Sequence, residues 1–335
     1  MKPPVPKRLQ QIHTSPSGGQ FEPIGLVGAT EPAKLLEGLL NLFNHDLPLH
    51  LLKGDEHGHD IHMFVDFLRT RCGINPRFVL PADLRLVPYP EDKQGCRLCC
   101  VVRKTENQDT RGISPLIYHG GEAVEEIHQD GLELHQRELS ALSPEMIRQI
   151  SIRCFNDMRT VLLVHDKRML GIVRQELESL VKRNVITSAQ ASNLDKGIAD
   201  TLLPGSLKLD QFIENCKKVS TLKNEYILKP VRSGKGDGIV FGEDLDAAEW
   251  LSKLEGLCSS CQLVPETCIV QREVQQIRYD VALSPTSTMA RFPLTGTYHS
   301  VHGEFLGVGV WRSCPHRICA ISHGGAWMCS VVKDS

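Results

Sequence analysis

The stretch Tyr226-Ile-Leu-Lys-Pro-Val-Arg-Ser-Gly-Lys-Gly-Asp-Gly-Ile-Val-Phe241 decides how this chain is read. A short apolar run delivers Lys229, Pro230 stops it, and a glycine-rich turn leads into a second β-rich run. Gly234, Gly236 and Gly238 permit positive φ and let backbone N–H groups approach an anion closely. Ser233 and Lys235 add donors to the same turn. Lys229 at a strand end could be an ordinary surface lysine; beside three alternating glycines it reads as a point charge for a phosphate. The order predicts a β-hairpin closing over phosphates. It is not a P-loop, which needs GxxxxGK[ST] feeding a helix, nor a GxGxxG turn before a helix.

Other cations and turns flank this hairpin. Asp166-Lys167 opens a predicted helix over 166–183, with Leu170, Val173, Leu177, Leu180 and Val181 on one face, and Lys167 can reach a second phosphate. Cys268-Ile-Val-Gln-Arg-Glu-Val274 is a strand entering a polar turn. Such a segment can hold an adenine through backbone hydrogen bonds, and equally can be an ordinary strand end. The period of two sets Arg278 and Asp280 on one face, and Arg312 ends a strand where a guanidinium can meet a γ-phosphate.

At 335 residues with a formal net charge of −2, the chain has room for one to three domains and no global field toward nucleic acid or membrane. No run approaches the roughly 20 apolar residues of a membrane span, and Met1 to Leu9 lacks the apolar core of a signal peptide. Twelve cysteines without such a signal point to a reducing compartment, the cytoplasm, and to free thiols. Cys96/Cys99 and Cys258/Cys261 lie too far apart for a compact zinc module and read as structural thiols. His57-Gly-His-Asp-Ile-His62 reads as a solvated loop before it reads as a metal site.

Residues 1–20 read as a flexible tail, and 21–115 as an α/β domain of alternating strands and helices, predicting a mostly parallel sheet. A polar stretch at 103–115 marks the boundary, and 122–150 is helix-prone. From Tyr226 the runs are spaced as an antiparallel sheet would be, broken by a helix over 247–257. The fold class is α/β, turning α+β in the C-terminal half.

Together these pieces resemble the ATP-grasp superfamily, and more closely its circularly permuted branch of glutathionylspermidine synthetase-like ligases. In family order they are Gln129-Asp-Gly-Leu-Glu-Leu-His-Gln-Arg-Glu138 and Phe155-Asn-Asp157, Asp166-Lys167, Leu203-Pro204, the Tyr226–Pro230 strand with its glycine loop, Val270 to Val274, Arg278-Tyr-Asp280, and Gly307 to Arg312 with His323-Gly-Gly325. The resemblance covers about 116–335 as the grasp region, with 21–115 as the preceding α/β domain, and implies antiparallel sheets holding a nucleotide between them. It makes Lys167 and Lys229 the phosphate lysines and Ser233 with Gly234, Gly236 and Gly238 the flap. It makes Gln271, Arg272, Glu273 and Val274 the adenine hinge, and Arg312, Arg278 and Lys235 the catalytic cations. Asp130, Glu133, Glu138, Asn156 and Asp157 become the Mg2+ candidates, although the family's acid-x-Asn pair is absent.

The implied cofactors are ATP and Mg2+. The implied reaction joins a small carboxylate to an amine, or to a thiol, through an acyl phosphate, with release of ADP and phosphate. Partners would be small molecules, not nucleic acid or membrane, in a biosynthetic setting that allows a homodimer. A degenerate ATP-binding protein without turnover and a small-molecule kinase remain as alternatives.

Overall fold

The computed structural model describes residues 26–55, 58–91, 93–103, 115–234, 236–259, 267–283, 288–319 and 324–333. The predicted tail, Lys235, Cys261 and His323 lie outside these residues. The chain is α/β, with helices beside both parallel and antiparallel sheets. Contacts divide it into two compact units, 1–158 with 299–307 and 332–335, and 159–298 with 308–331.

The first unit holds β1 (Leu26–Gly28), α1 (Pro32–Leu40), β2 (His50–Lys53), α2 (His59–Phe67), β3 (Arg77–Val79), β4 (Leu84–Pro88), β5 (Cys96–Val101), β6 (Ile117–His119), β7 (Glu122–Glu126), β8 (Asp130–Glu133), α3 (Gln136–Ser140) and α4 (Pro144–Arg153). The expected mostly parallel sheet is instead two sheets. The order β3-β2-β8 is parallel, and β4-β5-β7-β6 is antiparallel. Leu49, Leu51, Ile61, Val65 and Leu68 form the core under α2.

The stretch 122–133 forms β7 and β8, not the predicted helix. Gly120 and Gly121, both at positive φ, turn β6 back onto β7, and Ile117↔Val124 begins a ladder. Pairing with partners distant in sequence overrides the helical propensity of the glutamates. Because β7 pairs with β5 and β8 with β2, residues beyond 115 join the first unit, and the division falls after Met158.

The second unit holds α5 (Arg168–Lys182), α6 (Ser188–Gly197), β9 (Thr201–Leu202), α7 (Leu207–Lys218), β10 (Tyr226–Pro230), β11 (Val240–Phe241), α8 (Ala247–Ser259), β12 (Cys268–Arg272), β13 (Arg278–Val281) and β14 (Ala290–Pro293). Then follow β15 (Thr295–Val301), β16 (Glu304–Ser313), β17 (Ala326–Met328) and β18 (Val331–Lys333), with 299–307 of the β15–β16 hairpin and 332–333 of β18 counted in the first unit. The hairpin predicted at 226–241 is present: β10 pairs antiparallel with β11, Ile227 opposite Phe241. The sheet order is β11-β10-β12-β9.

Its two faces have opposite chemistry, as the period of two requires. Leu202, Leu228 and Val270 turn to one side and pack with Leu209, Phe212, Ile213, Trp250 and Leu254 of α7 and α8. Ile227, Lys229, Phe241 and Gln271 turn to the other side, which lines a cavity. The apolar run Val161 to Val164 forms a wide helical turn with Leu163 and Val164 exposed. No helix among the described residues is long and apolar enough to cross a membrane.

Candidate functional site

The cavity of the second unit has a volume of about 420 Å³. Nine of the predicted site residues line it: Lys167, Lys229, Ser233, Gly234, Gly236, Gln271, Glu273, Val274 and Arg312. Gly238, Arg272 and Arg278 do not line it, and Lys235 lies outside the described residues. Arg272 is turned away by strand alternation and pairs with Glu225 at 2.8 Å. Arg278 sits on β13, paired with Pro293 of β14.

Lys229 is carried into the cavity by the sheet. Its Nζ donates to Gln271 Oε1 at 3.2 Å, Gln271 Nε2 donates to Thr201 Oγ1 at 3.0 Å, and Thr201 Oγ1 donates to the Ala199 carbonyl at 2.9 Å. This relay fixes which end of the Gln271 amide meets the lysine. Burial lowers the pKa of Lys229 from the ordinary value.

Lys167 arrives from a different element. Gly171 of α5 is buried, and a Cβ there would meet Leu203 Cδ2 at 2.7 Å and the Thr201 carbonyl at 3.1 Å, so α5 lies against β9 only because this residue is glycine. The helix start is tied down as well. The Lys167 N–H donates to the Val231 carbonyl at 3.0 Å, and Asp166 pairs with Arg168 at 2.6 Å and Arg232 at 3.4 Å. Burial works against ionised Asp166, yet these guanidiniums hold its carboxyl below the usual range. Lys167 Nζ donates to the Ser233 carbonyl at 2.6 Å. Its pKa is lowered, first by burial and then by the positive charge of Lys229. Two ammonium groups therefore face one cavity, one held by an amide and the other by a carbonyl, neither of which supplies negative charge.

The glycine loop is self-supporting. Ser233 Oγ donates to the Asp237 carbonyl at 2.9 Å, and the Asp237 N–H to the Gly234 carbonyl at 3.0 Å. Gly236 has φ +86, and a Cβ there would collide with Ile318. Gly234 has open space around it.

Arg312 is the last residue but one of β16, opposite Trp327. Its Nε is buried and lacks a hydrogen-bond partner among the described residues. A buried donor without an acceptor is uncommon and marks where an anionic ligand would be satisfied. The sequence reading missed Phe241, Arg317 and Ile318, which also line the cavity. The Arg317 guanidinium lies 3.5 Å over the Phe241 ring and pairs with Glu243 at 2.8 Å and Glu273 at 3.6 Å. Only a stack between residues 76 positions apart in sequence reveals it.

The five Mg2+ candidates all belong to the first unit. Asp130 on β8 is fully buried, and burial raises its carboxyl to about 7 against the opposing pull of the Cys154 thiol and Arg153. Glu138 caps α3, accepting from His135 N–H at 2.8 Å and Asp55 N–H at 3.0 Å. Asn156 Oδ1 accepts from the Leu132 N–H at 2.9 Å. Asp157 adopts φ 59 after α4. Glu133 ends β8, its carbonyl accepting from the Gly54 N–H at 3.2 Å. No three of Asp130, Glu133, Glu138 and Asp157 bring ligand atoms within 4.8 Å of one another; among the described residues only His50, Cys100 and Glu125 do. Of the CxxC thiols, Cys96 donates to Glu145 at 3.5 Å and Cys258 to Asp210 at 3.2 Å, and burial raises both pKa values.

With the hairpin, the lysine pair and the buried Arg312 Nε in place, the chain is similar to a protein named as an ATP-grasp enzyme. Over 311 residues it is 37% identical to an ATP-grasp enzyme, ankG, of Aspergillus thermomutatus, covering 92% of this chain and 65% of that protein. The chain thus spans about two thirds of that curated relative's length. Residues 9–163 match the AnkG N-terminal domain. Among solved structures, a glutathione synthetase-like effector of Globodera pallida is similar at a TM-score of 0.40 and 11% identity, covering 89% of this chain and 59% of that one.

Proposed function

We propose that the chain is an ATP-dependent ligase of the permuted grasp branch, joining a small carboxylate to an amine or thiol through an acyl phosphate and releasing ADP. The observation that carries this reading is the convergence of Lys167, Lys229 and the unpartnered Arg312 Nε on one cavity beside a glycine loop. Two half-buried ammonium groups, both disfavoured by burial and Lys167 also by the charge of Lys229, are stabilised by a polyanion, so the residues present fit a triphosphate. ATP supplies the phosphoryl group when bound, and Mg2+ would screen it.

This chain's residues do the rest. Lys167 and Lys229 hold phosphate oxygens, and Arg312 neutralises charge on the transferred phosphoryl group. Phe241, braced by Arg317, offers a flat apolar wall to a base. Gly236 and Asp237 of the loop border the cavity and would keep water from the acyl phosphate. Of the Mg2+ candidates in the first unit, Asp130 and Glu138 serve the fold. A small amino-acid-like or peptide-like substrate in the cytoplasm suits this reading.

The test is ADP release by the full chain against a panel of carboxylates and amines with Mg2+ and ATP. ADP formed only with both substrates supports the proposal. AMP with pyrophosphate overturns it, a stable phosphorylated product without amine indicates a kinase, and tight ATP binding without turnover across the panel indicates a degenerate site.

A further inference from the structure

The first unit buries a cluster of side chains that the nucleotide cavity does not use. His50 lies on β2 of the parallel sheet, while Cys100 on β5 and Glu125 on β7 are direct cross-strand partners in the antiparallel sheet. All three residues are buried, and one ligand atom from each lies within 4.8 Å of the other two.

The cluster is poorly satisfied as a hydrogen-bonded group. Nδ1 and Nε2 of His50, a fully enclosed ring, make no hydrogen bond of normal geometry among the described residues, although a backbone group of Gln129 interacts with the ring. Leaving such groups unpaired is costly, and native interiors rarely tolerate it. His50 Nε2 faces Glu125 Oε1 at 3.7 Å, too long for a hydrogen bond. That is the separation of two donors on a shared ion, since metal–ligand distances of about 2.0–2.3 Å give tetrahedral edges of about 3.3–3.8 Å. Arg77 of β3 holds Glu125 Oε2 and so orients the carboxylate, as outer partners of metal ligands do.

We propose that His50, Cys100 and Glu125 form a structural zinc site that joins the two sheets of the first unit. One imidazole nitrogen, one sulfur and one carboxylate oxygen suit zinc; Mg2+ and Ca2+ favour all-oxygen shells. On binding, the Cys100 S–H proton leaves to solvent and the thiolate takes the metal, while His50 binds as the neutral ring and Glu125 as the carboxylate. Three protein donors leave one position for a water or a backbone carbonyl. Enclosure on all sides keeps substrates away, which makes the site structural rather than catalytic.

The test is elemental analysis of the full chain, expressed without a metal-binding tag and dialysed. About one zinc per chain is expected, falling to background in His50→Ala and Cys100→Ser and unchanged in Cys96→Ser. Where a variant folds poorly, the wild-type chain decides: a thiolate-to-metal band should appear on exchange with Co2+, and the melting temperature should fall on chelation and recover with added zinc. A folded wild-type chain with background metal and no melting shift on adding zinc overturns the proposal. Metal retained in full by folded His50→Ala and Cys100→Ser overturns it too, assigning the zinc to other thiols.

Discussion

Lys229 and Gln271 rise from the same face of two antiparallel strands, and the Lys229 ammonium donates to the Gln271 side-chain carbonyl at 3.2 Å. Register places them: Gln271 sits opposite Ile227, two residues before Lys229 on the same face. The amide's other end is spoken for by Thr201 at 3.0 Å. The ammonium is thus aimed without being neutralised, which leaves its charge for a ligand.

Gln271→Leu keeps the shape of this contact and removes the aim. Nucleotide affinity should fall about five- to tenfold, the worth of one hydrogen bond to a charged group, on the order of 1–1.5 kcal/mol. Calorimetric titration of ATP reads this directly. Unchanged affinity would mean that the relay serves only the fold.

The lysine pair sets a pH dependence. Both pKa values lie below the ordinary 10.5, so the folded chain holds fewer protons than the unfolded one and its stability rises with pH across the alkaline range. Phosphate binding favours the charged forms and works the other way. ATP affinity should therefore weaken with rising pH well before an ordinary lysine would titrate. Lys229→Met should weaken ATP binding by tenfold or more, about 1.5–3 kcal/mol, without lowering the melting temperature, because a desolvated charge is removed. Melting scans and titrations at three pH values check both signs.

Gly236→Ala should loosen the loop, because its φ of +86 is unfavourable for alanine and the new Cβ would collide with Ile318. The strain is about 1–3 kcal/mol, and it should show as weaker nucleotide binding more than as a lower global melting point. Gly234→Ala, in open space, is the control and should bind as the parent does. Equal behaviour of the two variants would remove the loop from the site.

Asp130 offers a second titration. Its carboxyl is raised from 3.8 to about 7, so the folded chain binds the extra proton between these values, and this group's contribution to stability is full below pH 3.8 and lost as pH climbs toward 7. Asp130→Asn should be more stable than the parent above neutrality, by up to a few kcal/mol, and should flatten the profile between. Chemical denaturation at pH 5 and pH 8 measures it. A variant less stable at pH 8 would mean that Asp130 is needed as a carboxylate, as a metal ligand would be.

Much of the second unit was legible because its signals are local. A proline ending an apolar run, glycines at alternate positions and the period of two describe the hairpin before any partner is known. The leucine spacing of α5 likewise fixes a helix and puts Lys167 at its start. Residues 122–133 were misread because strands at β7 and β8 depend on pairing with β5 and β2, and no local pattern reports a partner twenty or more residues away. Arg317 was missed for the same reason: nothing around it in sequence points to Phe241.

By itself, then, the sequence determined that Lys229 precedes a glycine loop on an antiparallel hairpin, because hydrophobic alternation and turn residues act over a few positions. Tertiary structure alone decided which cations share the cavity with it. Gly171 draws α5 onto β9 and brings Lys167 in, while β16 delivers Arg312. It also turned Asp130 and Glu138 to work within the fold, and it set His50 of one sheet beside Cys100 and Glu125 of another. Those outcomes follow from sheet register and helix approach, which are long-range packing solutions that composition and spacing do not encode.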